Sequence, residues 1–256
     1  MLQNPHNRLL LALVAVVLLA ASISSRIQTS GGTVRIHDIK IPTQNGQWVA
    51  ADLFRPLNAT AETPAPLVVV VPGFQRSREA LANIAIELSR RGIVVISIDP
   101  YAQGRSSSSL SRMAATTVGY GMFAIVDYAA SSENLNYVDK SRIAATGHSA
   151  GGNAAIRGAN YFGRQALENG LPSKLHSVFV SGYVLTLRDV VLSDVRSNFG
   201  VCYEMYDEGA YRNELKNGDM RTAPEALRVV NLGRSAHLPQ LTEVEMGRYY
   251  GSPVDR

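Results

Sequence analysis

One cysteine, Cys202, is the whole thiol content of the chain, which rules out an internal disulfide and says little about compartment. Cysteine and histidine nowhere share the spacing of a zinc site, so no metal is expected. No glycine-rich loop runs into the lysine that a nucleotide phosphate would need. Charge is scarce too: charged residues make up 18% of the chain and the net charge is +4, without a Lys/Arg block to follow a phosphate backbone. Nucleic acid is therefore not an expected partner. There is no internal repeat, and the short run Ser106 to Ser109 reads as a solvated loop. What remains is a chain of 256 residues, 46% hydrophobic, which is enough for one sizeable core.

The N-terminus carries the longest apolar run, "LLLALVAVVLLAASI", Leu9 to Ile23, between Arg8 and Arg26. Its length falls short of the roughly 20 residues of a spanning helix and suits the core of a signal peptide. Ala20 and Ser22 offer a small-x-small cleavage pattern, whereas Ser24 and Ser25 could sit inside a tilted, uncleaved span. Residues 1–28 are accordingly expected to be a signal peptide or membrane anchor, with Leu9 to Ile23 in the membrane. Residues 29–256 would form a domain outside the cytoplasm, secreted if the leader is removed.

From Val34 the pattern changes. "VRIHDIKIPT" and "QWVAADLFRP" alternate apolar and polar residues around Asn45-Gly46, a hairpin signal. "PLVVVVPG" and "IVVISIDP" are continuous β-branched runs, as strands buried on both faces require. Between them Leu81, Ile84, Ala85 and Leu88 form a helical stripe over Glu79 to Arg91, stopped by Gly92. "GMFAIVDYAAS" reads as a helix, "RIAATGHS" as a third buried strand, "GGNAAIRGANYFGRQALENG" as a helix and "HSVFVSGY" as a fourth buried strand. Phe199 to Gly209 suggests another strand. Thr222-x-x-Glu225 is a capping box that opens the short helix "PEALRVVNLG". Strands alternating with helices predict an α/β fold, a mostly parallel sheet with helices on both faces.

Gly147-His148-Ser149-Ala150-Gly151 is a G-x-S-x-G stretch in which a buried strand turns directly into a helix. Small neighbours are what a strained turn of that kind demands, and a helix N-terminus just after the serine aims N–H groups at a developing anion. A serine hydroxyl there is a candidate nucleophile, provided that some base takes its proton.

These residues resemble the α/β-hydrolase superfamily over most of Val34 to Gly209, with a hairpin like that of the dienelactone-hydrolase, acyl-peptidase and X-Pro-dipeptidase-like branches. "VVVVPGF" stands at the family's oxyanion-loop position. "IDPYAQGRS" resembles its D-x-x-G-x-G-x-S segment, with Ala102 where a glycine is usual. The resemblance implies Ser149 as nucleophile, the backbone N–H groups of Phe74 and Ala150 as oxyanion hole, and no cofactor. His148 is too close in sequence to reach back as base and is expected to pack beside the site. The acid of the triad is expected at Asp207, with Glu208 as a neighbour that could substitute and Asp189 and Asp194 too early. For the base, His237 follows the acid without a buried strand before it; otherwise the last strand and the base lie beyond Arg256. The expected activity is acyl transfer from an ester, thioester or amide substrate. A catalytically silent binding or scaffold module, or the N-terminal part of a larger membrane protein, is the rival expectation.

Overall fold

The computed structural model describes residues 4–43, 46–108, 118–183, 194–202 and 227. Helix α1, Pro5–Gln28, is longer than the apolar run that announced it. Asn4 caps it by accepting the His6 N–H at 2.9 Å, and Pro5 suits the first turn, so the flanking polar residues join the helix. Ser22 Oγ donates to the Leu18 carbonyl at 2.8 Å, which satisfies a hydroxyl inside an apolar stretch. None of the helix is buried, and its best window has a mean hydropathy of 2.3, long and apolar enough to cross a membrane.

Thr29 to Thr33 then lead into β1, Val34–Pro42, which forms the expected hairpin with β2, Trp48–Pro56. Gly46 supplies a φ of +72° in the turn; Asn45 lies outside the described residues. β3 (Ala65–Val71), β4 (Val94–Ile98), β5 (Val138–His148), β6 (Ser177–Ser181) and β7 (Asn198–Cys202) complete a seven-stranded sheet of order β1-β2-β4-β3-β5-β6-β7. β2 is antiparallel to both β1 and β4, and every other neighbouring pair is parallel.

The step from β3 to β4 runs one way along the sheet, and those from β4 to β5 and β5 to β6 run the other. Right-handed crossovers therefore place the connecting helices on opposite faces. α2, Ala82–Arg90, packs Ile84, Ala85 and Leu88, together with Leu81 just before it, over Val70 and Val95. α3, Met122–Ser131, and α4, Ala150–Asn169, bury Met122, Ile125, Ala155 and Phe162 against the other face.

Two expectations shift. The stripe Glu79 to Arg91 divides into a 3-10 turn, Arg78–Leu81, and α2, because Arg78 is drawn inward at the start. Its N–H bonds the buried Asp99 at 2.9 Å. β5 begins at Val138, ahead of the apolar run, where it pairs with Ala65 across a bulge in the β3 register. Of the strand expected over Phe199 to Gly209, the part to Cys202 is described and belongs to β7. The "PEALRVVNLG" helix lies outside the described residues except for Leu227, which is helical.

Candidate active site

β5 ends at His148, and α4 begins at Ala150, so Ser149 alone makes the turn. Its backbone is at φ +54°, ψ −118°, a conformation costly to any residue with a side chain. The glycines on either side make it possible. A Cβ on Gly147 would stand 2.3 Å from the Gly151 carbonyl carbon, and one on Gly151 would stand 2.0 Å from the Val71 carbonyl oxygen. The Ser149 N–H is already spent on the Ser181 carbonyl at 3.0 Å. The next one, on Ala150, opens α4 and is among the donors that a helix leaves without an internal partner.

The loop after β3 lies against this turn. A Cβ on Gly73 would fall 3.5 Å from Ser149 Cβ and from His148 Nδ1. Phe74 follows with its side chain 65% exposed, and its N–H donates to no described residue. Gln75 at φ +56° and the Arg76 N–H bond to the Gly73 carbonyl (3.2 Å) fold the loop back. The structure thus brings Ser149, Ala150 and the Gly73-Phe74 segment together at the carboxyl ends of β5 and β3. His148 packs between Gly73 and Gly182, whose Cβ would lie 3.1 Å from its Nε2.

Asp207, Glu208, Asp189 and His237 lie outside the described residues. Asp194 pairs with Arg164 on α4 at 3.2 Å. Of the other histidines, His6 is on α1, and His37 is on β1, four strands from β5 and so about 19 Å away. His176 precedes β6 at the amino end of the sheet, with Nδ1 2.7 Å from Ser177 Oγ.

Sequence reasoning missed a charged cluster behind the loop. Arg78, 5% exposed, has Nη2 3.1 Å from Asp38, Nε 3.2 Å from Asp52 and 3.7 Å from Glu79, and Nη1 3.9 Å from Asp99. Burial raises the Asp52 carboxyl above its usual range, opposed by Arg78 and reinforced by Asp38. Hydrogen bonds from Ser77 and from its own backbone lower that of Glu79. The signal was present in the D-x-x-G-x-G-x-S segment, but the partners come from β1, β2 and the loop after β3, which spacing does not reveal. Among the described residues no cluster has the makings of a metal site.

A serine poised on a strained strand-to-helix turn, in a mostly parallel sheet of this strand order, defines an α/β-hydrolase fold. A family model described as PET hydrolase-like matches residues 20–195, and the chain belongs to that family. Solved structures similar to it include the Pyrococcus furiosus esterase Pf2001 (16% identity, 62% of this chain, 56% of that one, TM-score 0.48). A bacterial heroin esterase (22%, 64% and 50%, 0.46) and a hypothetical protein, PA2218, of Pseudomonas aeruginosa (19%, 79% and 52%, 0.49) are also similar. The chain spans about half the length of these structures. No curated protein matches it.

Proposed function

We propose that this member of a hydrolase family is a serine hydrolase that cleaves a carboxylic ester by acyl transfer. The observation that carries the reading is the backbone of Ser149, held at φ +54° by glycines that admit no side chain. A non-glycine residue kept in such a conformation needs a reason, and presenting its hydroxyl is one. The family's description favours an ester over a thioester or amide, because PET is a polyester.

In this reading the Ser149 hydroxyl attacks the substrate carbonyl carbon while its proton passes to a histidine. The Phe74 and Ala150 N–H groups hold the oxyanion of the tetrahedral intermediate, each contributing about 3 kcal/mol. The intermediate collapses, the alkoxide leaves with that proton, and water then releases the acyl group and restores the serine. Asp207 orients the histidine, which is His237 or a residue beyond Arg256. α1 is the leader or anchor of a domain that works outside the cytoplasm.

The test is fluorophosphonate labelling of the full chain in detergent. Wild type should label, and Ser149→Ala should not. Loss in His237→Ala and in Asp207→Asn would assign the base and the acid within this chain. Retention in His237→Ala would move the base elsewhere. A folded wild type that stays unlabelled would overturn the reading and favour a silent module.

A further inference from the structure

We propose that Asp99 is a positioning residue for the oxyanion donor on Phe74, acting as a staple between the loops that follow β3 and β4. The inference rests on the reading of Phe74 as that donor. Asp99 stands at the carboxyl end of β4 and is 1% exposed, and a carboxylate so buried must have its oxygens satisfied. It accepts two backbone N–H groups, one from each loop: Arg78 on Oδ1 at 2.9 Å and Arg105 on Oδ2 at 2.9 Å. A second tie joins the same loops, from the Arg76 N–H to Gln103 Oε1 at 2.7 Å.

Phe74 lies between fixed points. Gly73 rests on the serine turn before it, and Arg76 and Arg78 are pinned by Gln103 and Asp99 after it. The positive φ of Gln75 shows that the loop does not relax into this shape unaided. Gly104 makes room for the staple, since a Cβ there would stand 2.2 Å from Asp99 Cγ. The Arg78 side chain carries the hold further, to Asp38 on β1 and Asp52 on β2. The D-x-x-G-x-G-x-S segment is thereby explained. Its aspartate binds both loops and its second glycine clears the space. Its serine, Ser106, donates to the Asp99 carbonyl at 2.6 Å and accepts the Ala50 N–H at 2.8 Å.

A residue that only stabilises the fold would lower the melting temperature and leave chemistry intact in the molecules that stay folded. A residue that places an oxyanion donor changes kcat while KM stays put, because the donor binds charge that exists only in the transition state. The experiment compares Asp99→Asn with wild type in the full chain, by p-nitrophenyl acetate hydrolysis and fluorophosphonate labelling rate, well below either melting temperature. Asparagine offers one oxygen and turns an amide NH2 toward the second N–H. The expected result is a kcat and a labelling rate lower by about tenfold to a hundredfold, with KM within about twofold. Gln103→Ala, which removes only the second tie from a partly exposed position, should lower kcat by about threefold. A folded Asp99→Asn whose kcat equals that of wild type overturns the inference while wild-type labelling keeps the hydrolase reading. If Asp99→Asn does not fold, Gln103→Ala decides alone, and an unchanged kcat there overturns it. A wild type that neither labels nor hydrolyses removes both readings together.

Discussion

The serine turn and the loop after β3 stand side by side, yet they are held in place by different physics. The turn is fixed by contact. Gly147, Ser149 and Gly151 lie within five consecutive residues; Gly147 is closed against the Gly151 backbone and Gly151 against the Val71 and Pro72 carbonyls at the end of β3. The loop is fixed by charge and hydrogen bonds delivered from afar: Asp38, Asp52 and Asp99 come from three strands to one buried arginine. Steric fixation is stiff and indifferent to solvent conditions. Electrostatic fixation depends on protonation and on every partner being present. One site is therefore assembled from a part that tolerates no added atom and a part whose hold depends on protonation and on its distant partners.

The sharpest way to separate the two is Ser149→Gly. It should abolish fluorophosphonate labelling and lower esterase activity by at least about a thousandfold, while raising stability by about 1 kcal/mol in a urea titration, because glycine accepts the turn without strain. Next in size is Gly151→Ala. Its Cβ would meet the Val71 carbonyl oxygen at 2.0 Å, so stability should fall by about 3 kcal/mol, with the two backbones forced apart and labelling lost. Ala102 tests the other side of the comparison. It stands at φ +61° on the exposed loop after β4, where the resemblance puts a glycine, and Ala102→Gly should stabilise by about 1 kcal/mol without altering kcat. The smallest effect is a pH dependence. The Asp52 carboxyl is raised by burial, so its contribution to stability is fully present below its unfolded value of 3.8 and is lost as pH rises through its folded value. The stability of Asp52→Asn relative to wild type should therefore improve between pH 3.5 and 7, read from urea midpoints. An equal gap at both pH values would show that the cluster is not under electrostatic tension.

This contrast also explains what could be read from the chain before the structure. The serine turn was legible because everything that shapes it lies within five consecutive residues between a β-branched run and a small-residue helix. The strands β3 and β4 were legible for a similar reason, since burial on both faces writes an unbroken apolar run. The clamp was not. Nothing in "VRIHDIKIPT" says that Asp38 will face Arg78, because that meeting depends on the register of β1 with β2 and of β2 with β4. The early start of β5 was hidden likewise, because the polar residues Asp139, Lys140 and Ser141 satisfy themselves locally and from α3. Ser141 N bonds Asp139 at 2.9 Å, and Lys140 Nζ donates to the Ala129 and Ser132 carbonyls. Asp207, expected as the acid, and His237, one of the two alternatives for the base, fall outside the described residues.

The point of attachment of α1 has a consequence of its own. The helix joins the domain at Val34, the amino end of β1, and Arg90 Nη2 donates to the Ile27 carbonyl at 2.6 Å just before β4 begins. β1 runs in the same direction as β4, so this junction lies at one pole of the sheet and Ser149 at the other, about 23 Å apart along the strand direction, since the register sets Gly147 level with Ile39. The linker Thr29 to Thr33 reaches at most about 17 Å, too little to turn the domain over. α1 is long and apolar enough to cross a membrane, and under the proposed anchor reading it would hold the domain by the pole opposite the serine turn. In that reading the serine turn would open toward the aqueous side, away from the lipid.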